Sequence, residues 1–325
     1  MQREVAIFTH QLAQEVDGVI DILRLAGSTV KRINLCQYPE NLTSSFSSAS
    51  LFDDFASLNH ASVGWIHEPY IFTVARSLTG LNRDAAMREC SAFWDGIIAS
   101  MRCASMRCPW LNSPASIRIA SNKVFQLQLA AKLGIAVPDY IISNDINSLR
   151  GFRREQGKVV MKALSTGYVE YGRRKLKVYT QRLVDIDAIA DAIKLAPIIL
   201  QCEVDRIFEV RTTVVDGQAF SVEFDWNSAK PQNVDIRELD YVAHRSHFHP
   251  TDRFPKIEEW SRKYTERIGL GYACYDWLVD NAGHEWFLEC NPLGSFKWSE
   301  LCGCQGISAA ISDALLRRCV ERSVP

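Results

Sequence analysis

Several features are missing from this 325-residue chain, and each absence removes a class of function. No stretch approaches the ~18 uninterrupted apolar residues that span a bilayer, since even the run from Ala192 to Leu200 is broken by Lys194 and Pro197. The start has an apolar run of only Val5 to Phe8, too short for the core of a secretory signal. Charge of one sign is missing too: 37 Lys plus Arg against 38 Asp plus Glu leave a net charge of −1, so nothing attracts nucleic acid or anionic lipid at long range. Among the ten cysteines there is no C-x2-C, and the closest pairs, Cys103-x4-Cys108 and Cys302-x-Cys304, lack a second pair nearby. A structural zinc site is therefore not expected, and with no export signal the cysteines read as packing residues of a soluble, cytoplasmic protein. No repeat of ~20–50 residues is visible, which excludes solenoids and propellers.

What is present is ample material for cores, at 47% hydrophobic residues. The length suggests two or three domains at ~150 residues each. Strand-like Val5 to Thr9, helical Gly18 to Ala26 ended by Gly27, and strand-like Val30 to Leu35 make an α/β opening. The serine-rich Thr43 to Ser50 reads as a loop, Ser62 to Ile66 as a further strand, and Arg83 to Met101 as a helix. Two prolines in Arg107 to Pro114 mark a linker, with a domain boundary near residue 115. Ser121-Asn122 can cap a helix through Val124, Leu127, Leu129, Ala130 and Leu133, stopped by Gly134.

Three cationic or glycine-bearing features stand out. Lys123 occupies the first turn of that helix, where the macrodipole disfavours a cation by ~0.3–1 kcal/mol; it is either a solvated lysine or a cation beside a bound anion. Lys162 ends the strand Lys158-Val-Val-Met-Lys162, where it either reaches solvent or points into a cleft. The stretch Ser165 to Lys175, with Gly167 and Gly172, is either an ordinary hairpin loop or one that folds over phosphates. Beyond them, Phe208 to Val215 and Gln218 to Asp225 flank Asp216-Gly217, a tight-hairpin signal. Strand alternation there puts Glu209, Arg211 and Thr213 on one face, as a solvated surface or as a carboxylate and a guanidinium projecting together into a site.

The sharpest signal is a second hairpin. Gly271 to Val279 and Glu285 to Pro292 are joined by the turn-forming Asp280-Asn-Ala-Gly283. A turn centred between Ala282 and Gly283 pairs Asp276 with Glu289, and Asn291 shares the face; a one-residue slip would separate them. Paired like charges among Tyr, Trp, Phe and Leu require a cation between them. Two carboxylates and an amide oxygen are a hard, all-oxygen set that suits Mg²⁺. With Lys123, Lys162 and Arg211 this is the equipment of phosphoryl chemistry, although G-x4-G-K-[ST] and the kinase signatures are absent. His244-x2-His247-x-His249 suits neither one helix face nor a zinc finger and reads as a surface loop that touches substrate.

From about residue 105 to 310 the order and spacing of motifs resemble the ATP-grasp superfamily, and within it the ligases that macrocyclise ribosomal peptides of the microviridin and graspetide class. The matching pieces are Trp110-Leu-Asn112, Asn122-Lys123-x3-Leu127-Gln-Leu-Ala-x2-Leu-Gly-Ile-x-Val-Pro138, Ile141 to Asn144 and Val160-Met-Lys162. They continue in Leu200-Gln201-x2-Val204-x4-Glu209-Val-Arg211, Asp235-Ile-Arg237, and Asp276 through Phe287-Leu-Glu289-x-Asn291-Pro292-x-Gly294-x3-Trp298.

The resemblance implies an α/β (α+β) ATP-grasp fold: an N-terminal α/β pre-ATP-grasp domain over 1–115, a central subdomain over 116–205 and a C-terminal subdomain over 206–325 carrying the magnesium site. It implies that Lys123 and Lys162 hold the phosphates of ATP, that Gln201, Cys202, Glu203 and Val204 lie against the adenine, and that Glu209 takes the ribose. Arg211 and Arg237 would meet the transferred phosphate and its acyl product, and Asp276, Glu289 and Asn291 would bind Mg²⁺, with Arg211, Arg237, Glu289 and Asn291 as the catalytic set. The implied activity is ADP-forming ligation of a side-chain carboxylate to a hydroxyl or amine in a precursor peptide of leader plus core, by a protein that is a monomer or a homodimer. Its rivals are an ATP-grasp ligase adding a free amino acid to a peptide or protein, and a nucleotide-binding module without turnover. Two departures from the family pattern are Gln201-Cys202-Glu203, where Gln-Glu is frequent, and Trp65-Ile-His67-Glu68-Pro69, where paired arginines usually follow the tryptophan.

Overall fold

The structure is a computed structural model that describes residues 3–42, 44, 61–68, 78–104, 109–165, 168–171 and 174–321. Most of the serine-rich stretch 43–50, residues 105–108 with Cys108, and Thr166, Gly167, Gly172 and Arg173 of the glycine-bearing stretch lie outside the described residues.

The chain opens with β1 (Glu4–Thr9), α1 (Glu15–Leu25), β2 (Thr29–Asn34), β3 (Val63–Ile66) and α2 (Gly80–Ala104). The three strands form a parallel sheet in the order β2-β1-β3. Val5, Ala6, Ile7 and Phe8 are all fully buried, because the central strand of a parallel sheet is covered on both faces and needs an unbroken apolar run. The expected linker is not one throughout: Gly64 N–H donates to Pro109 O and Leu111 N–H to Gly64 O, both at 3.0 Å, so residues 109–111 add to this sheet beside β3. The Trp110 ring lies so close over Gly64 that a Cβ there would stand 2.6 Å from it, which is why the strand has glycine at that point. Prolines at 109 and 114 signalled a break in secondary structure, but burial of Trp110 and Leu111 holds the segment in place.

Next come α3 (Pro114–Ala120), α4 (Lys123–Lys132), β4 (Tyr140–Ser143), α5 (Ile146–Gln156), β5 (Val159–Lys162), β6 (Tyr168–Tyr171), β7 (Arg174–Lys177), β8 (Gln181–Arg182), α6 (Ala190–Leu195) and β9 (Ile198–Cys202). Asn122 caps α4 by accepting from Phe125 N–H at 3.0 Å, and Gly134 at φ 72° ends it. An antiparallel sheet runs β4-β9-β5-β8. The glycine-bearing stretch after Lys162 forms a separate two-stranded hairpin of β6 and β7.

The last part holds β10 (Arg206–Val215), β11 (Gln218–Asp225), α7 (Trp226–Ala229), α8 (Tyr241–His244), β12 (Phe248–Pro250), α9 (Pro255–Ile268), β13 (Tyr272–Asp280), β14 (Glu285–Asn291), α10 (Lys297–Leu301) and α11 (Ile307–Glu321). A five-stranded antiparallel sheet runs β12-β11-β10-β13-β14. The β10–β11 turn has Asp216 at φ 43° and Gly217 at φ 82° with Val215 paired to Gln218, the two positive φ angles that a two-residue hairpin requires. Among the described residues no helix is long and apolar enough to cross a membrane.

Three buried clusters determine what moves with what. Ile307, Ile311 and Leu315 of α11 pack with Val16, Val19 and Leu23 of α1 and with Val5 and Ile7 of β1, so the end of the chain shares a core with its beginning. Val210, Tyr264, Tyr275, Trp277 and Phe287 fill the opposite face of the five-stranded sheet. The four-stranded sheet rests on its own small cluster of Leu149, Ile186, Ile193 and Leu200.

One buried ionic contact fastens the first part to the last. The Glu15 carboxylate, 4% exposed, contacts the His67 ring through one oxygen; the other accepts from Ser295 Oγ at 2.6 Å, Phe296 N–H at 3.2 Å and Lys297 N–H at 3.0 Å. Burial raises its pKa, but the His67 ring, Ser295 and the Lys297 amide together outweigh that and bring it down to about 2. A carboxylate depressed in the folded state contributes stability above its unfolded pKa and loses it as pH falls. Glu15→Gln is therefore expected to cost about 3 kcal/mol at neutral pH. That difference from wild type fades between pH 4.5 and 2, as urea unfolding across this range would show.

Candidate functional site

Between the four-stranded and five-stranded sheets lies a cavity of about 1080 Å³. All twelve residues singled out from the sequence line it: Lys123, Lys162, Gln201, Cys202, Glu203, Val204, Glu209, Arg211, Arg237, Asp276, Glu289 and Asn291. They come from six elements and from loops spread over residues 123–291, and no local interaction brings them together.

On the five-stranded sheet, β10 presents Glu209 and Arg211 to the cavity, as alternation requires. Asp276 on β13 stands opposite Arg211 on one side and Glu289 of β14 on the other. Arg211 Nη1 donates to both Asp276 oxygens at 2.8 and 2.9 Å and Nη2 to Ser295 O at 3.2 Å, while its buried Nε has no partner among the described residues. Burial alone would lower the Arg211 pKa; Asp276 more than reverses that, so the guanidinium stays charged. Gly294 lacks a side chain for a steric reason: a Cβ would lie 2.7 Å from both Arg211 Nη2 and the Cys274 Cβ.

The Asp276–Glu289 pairing has a different origin from the one the turn suggests. Val279 pairs with Glu285 and Trp277 with Phe287, which centres the turn on Ala282 and would misalign the carboxylates. A bulge at Leu288 adds one residue to β14 and restores the pair, with Asn291 opposite Cys274 two residues on. The two carboxyl groups titrate apart. Burial raises Asp276, and Arg211 only partly opposes it; for Glu289 burial is outweighed by Lys123, Lys162, Arg237 and Arg211, which hold it below its ordinary value. Asn291 Oδ1 accepts from Leu293 N–H at 3.1 Å, which orients the amide. Each of these oxygens keeps a free lone pair, so the donor set fits Mg²⁺.

Across the cavity, Lys162 Nζ donates to Gln201 Oε1 at 2.6 Å, and Lys123 Nζ donates to Ala163 O at 3.0 Å while standing 3.6 Å from Glu289. Burial, with Lys123 adding to it and Glu289 opposing, brings Lys162 down to about 8. Cys202 and Glu203 are fixed through their backbones, by N–H donation to Asp139 O at 2.8 Å and Lys158 O at 3.0 Å. The Glu203 carboxylate turns to Arg182 at 2.8 Å, and the Gln201 side chain is taken by Lys162 and Pro138 O. Glu209 is pushed up to about 7 by burial, with the Arg206 guanidinium, 3.4 Å away, opposing. Arg237 is held charged by Asp235 and stacks 5.8 Å from the Tyr179 ring.

Sequence reasoning missed Arg206, Asp235 and Glu68, all on the cavity wall. Arg206 reaches Glu209, three residues on, because a bulge between Arg206 and Phe208 breaks the alternation that would put them on opposite faces. Asp235 was part of the Asp235-Ile-Arg237 piece without an assigned role; it caps the turn there by accepting from the amide and guanidinium of Arg237. Glu68 carried no signal in its spacing. The histidines 244, 247 and 249 are exposed or half-buried on α8, the turn after it and β12, and among the described residues they do not form a metal-binding group. Cys302 and Cys304 do not either, and all eight described cysteines are free.

No family model matches the sequence, and no curated protein does. Solved structures do. Over 100% of this chain and 98% of the other, the fold matches a RiPP-associated ATP-grasp ligase of Chryseobacterium gregarium, solved with ADP and a leader and core peptide, at TM-score 0.82 and 22% identity. The macrocyclase MdnC of Microcystis aeruginosa MRC, bound with precursor peptide MdnA, matches over 97% of this chain and 99% of its own at TM-score 0.80 and 22% identity. D-cycloserine synthetase DcsG is more distant, with TM-score 0.63 and 15% identity over 97% and 99%. The fold is that of the ATP-grasp ligases, with helices and sheets combined as an α/β architecture.

Proposed function

We propose that this chain is an ADP-forming ATP-grasp ligase that joins a side-chain carboxylate to a hydroxyl or amine within a ribosomally made precursor peptide, giving ω-ester or ω-amide crosslinks in a reducing, cytoplasmic compartment. The observation that carries the reading is the convergence of two lysines, two arginines and the Asp276–Glu289–Asn291 oxygen set on one cavity. The fold neighbours solved with ADP and a leader and core peptide, or with a precursor peptide, support the substrate class.

In this reading residues 1–115 form an N-terminal domain, and 116–205 and 206–325 the two halves that clasp the nucleotide. Lys123 and Lys162 bind the phosphates, residues 201–204 face the base, and Glu209 takes the ribose. The substrate carboxylate attacks the γ-phosphorus; the bond to the β-phosphate oxygen breaks, ADP leaves, and an acylphosphate forms. The acceptor then attacks the acyl carbon and the C–O bond to phosphate breaks. Arg211 and Arg237 face the oxygens on which charge collects in both steps. Asp276, Glu289 and Asn291 would hold Mg²⁺, which when bound draws charge from the phosphate oxygens. No nucleophile of the protein is consumed, in keeping with the absence of G-x-S-x-G.

Mass spectrometry of the peptide encoded beside this gene, incubated with the protein, ATP and Mg²⁺, tests the proposal. Ring closure removes one water per ring with one ADP formed, whereas addition of a free amino acid raises the mass and refutes it. Lys162→Ala is expected to weaken ATP binding by about ten- to a hundred-fold, the worth of a charge-assisted hydrogen bond, as calorimetric titration with a non-hydrolysable analogue would show.

A further inference from the structure

Among the described residues six carboxyl groups line the cavity, and five of them face a lysine or arginine. Glu203 has Arg182, Glu209 has Arg206, Asp235 has Arg237, Asp276 has Arg211 and Glu289 has Lys123. The sixth, Glu68, has neither. Its one ionic neighbour within 4.0 Å among the described residues is the His10 ring, whose Nε2 is 3.5 Å from Oε2. Among the described residues Glu68 is also the one lining residue contributed by the first part of the chain, just past the end of β3. Its backbone is left-handed, at φ 44°, a conformation that costs a non-glycine residue about 1–3 kcal/mol and persists only where the surroundings enforce it.

Glu68 belongs to the Arg211 side of the cavity. Burial raises its pKa, His67 opposes, Glu15 adds to the rise, and Arg211 opposes in turn. With His10, these are the charged groups that face it. Glu15, His67 and Glu68 bring ligand atoms within 4.8 Å of one another, the spacing of a metal site. The Glu15 carboxylate is already committed to His67, Ser295 and the amides of Phe296 and Lys297, so its oxygens are spent on structure. What remains is a partly buried carboxylate with no lysine or arginine within 4.0 Å among the described residues, on the side of the cavity where the charge of Arg211 is felt.

We infer that Glu68 is the acceptor subsite of this ligase and that it selects a primary ammonium, so that the crosslink formed is an amide. The inference rests on the ligase reading above. A hydroxyl acceptor brings no charge to offset this carboxylate; the ammonium of a lysine side chain does. The ammonium must lose a proton before its nitrogen can attack, and a carboxylate raised by burial accepts it. Glu68 takes the proton, the free amine forms the C–N bond as the C–O bond to phosphate breaks, inorganic phosphate leaves, and Glu68 returns the proton to solvent.

The test uses the full chain loaded with Mg²⁺ and a non-hydrolysable ATP analogue. Saturation-transfer NMR compares Nα-acetyl-lysine N-methylamide with the norleucine and threonine analogues, which lack the ammonium. The lysine probe is expected to bind at least about ten-fold more tightly than either; Glu68→Gln erases that preference and keeps nucleotide affinity within about two-fold, and Glu68→Asp retains part of it. Equal binding of all three probes, a preference that survives Glu68→Gln, or a crosslinked product that mild alkali opens as an ester overturns the inference. A wild-type protein that binds no nucleotide instead overturns the ligase reading, a separate result.

Discussion

Arg211→Ala lowers peptide-dependent ADP formation by about 10²–10³-fold, the cost of removing one preorganised donor from developing charge. The argument is geometric. Arg211 spends Nη1 on both oxygens of Asp276 and Nη2 on Ser295 O, so three contacts lock the guanidinium before any substrate arrives. The guanidinium so held lines the cavity and stays charged. The same substitution strips Asp276 of its cation while Glu289 still stands opposite, and breaking such a pair costs about 3–5 kcal/mol. Two measurements separate the effects. A coupled assay of ADP reads the catalytic loss, and thermal unfolding with and without Mg²⁺ reads the stability loss, which the added dication partly restores. Arg211→Lys keeps the charge but loses the fork that reaches Asp276 and Ser295 O together, and is expected to recover stability more than rate. ADP formation at the wild-type rate by Arg211→Ala would remove Arg211 from the catalytic set.

Glu289→Gln is expected to raise the Mg²⁺ concentration needed for half-maximal ADP formation by about a hundred-fold or more, because even loss of groups that merely support metal ligands costs 10–100-fold in affinity. Gln is isosteric, so the β13–β14 pairing survives and circular dichroism should be unchanged. The loss has two sources. A neutral amide is a weaker ligand for a hard dication, and Lys123 loses its carboxylate partner while Lys162 and Arg237 lose part of the negative charge that balances them. The resulting excess of positive charge makes a nucleotide titrated without metal bind at least as well as to wild type. A variant with the wild-type Mg²⁺ dependence would exclude Glu289 as a ligand.

The site was legible where chemistry follows a short period. Alternation on β10 sorted Glu209 and Arg211 onto one face, and the structure presents both to the cavity. For Asp276 and Glu289 the pairing was right although its derivation was incomplete: the turn is centred on Ala282, and only the Leu288 bulge, which no residue type announces, brings the carboxylates opposite. Arg206 was lost to a second bulge. Trp110 was read with its neighbouring prolines as part of a linker, yet it docks on Gly64, a contact across 46 residues that local pattern cannot carry. The glycine-bearing stretch after Lys162 was open between two readings, and the pairing of β6 with β7 is compatible with both. Glu15 and His67 were invisible for a related reason: nothing in either neighbourhood encodes a partner 52 residues away.

The fastening of Glu15 to residues 295–297 bears on how this protein is made. During synthesis the opening strands and α1 emerge well before Ser295 and before α11, whose apolar face completes their shared core. Until the ribosome delivers Ser295 and α11, a carboxylate and several valines and leucines stay uncovered, and sequence-distant closures of this kind are slow and prone to aggregation. Fragments cut before about residue 295 should therefore accumulate in inclusion bodies, and chaperone binding to the nascent chain should persist until α11 has emerged.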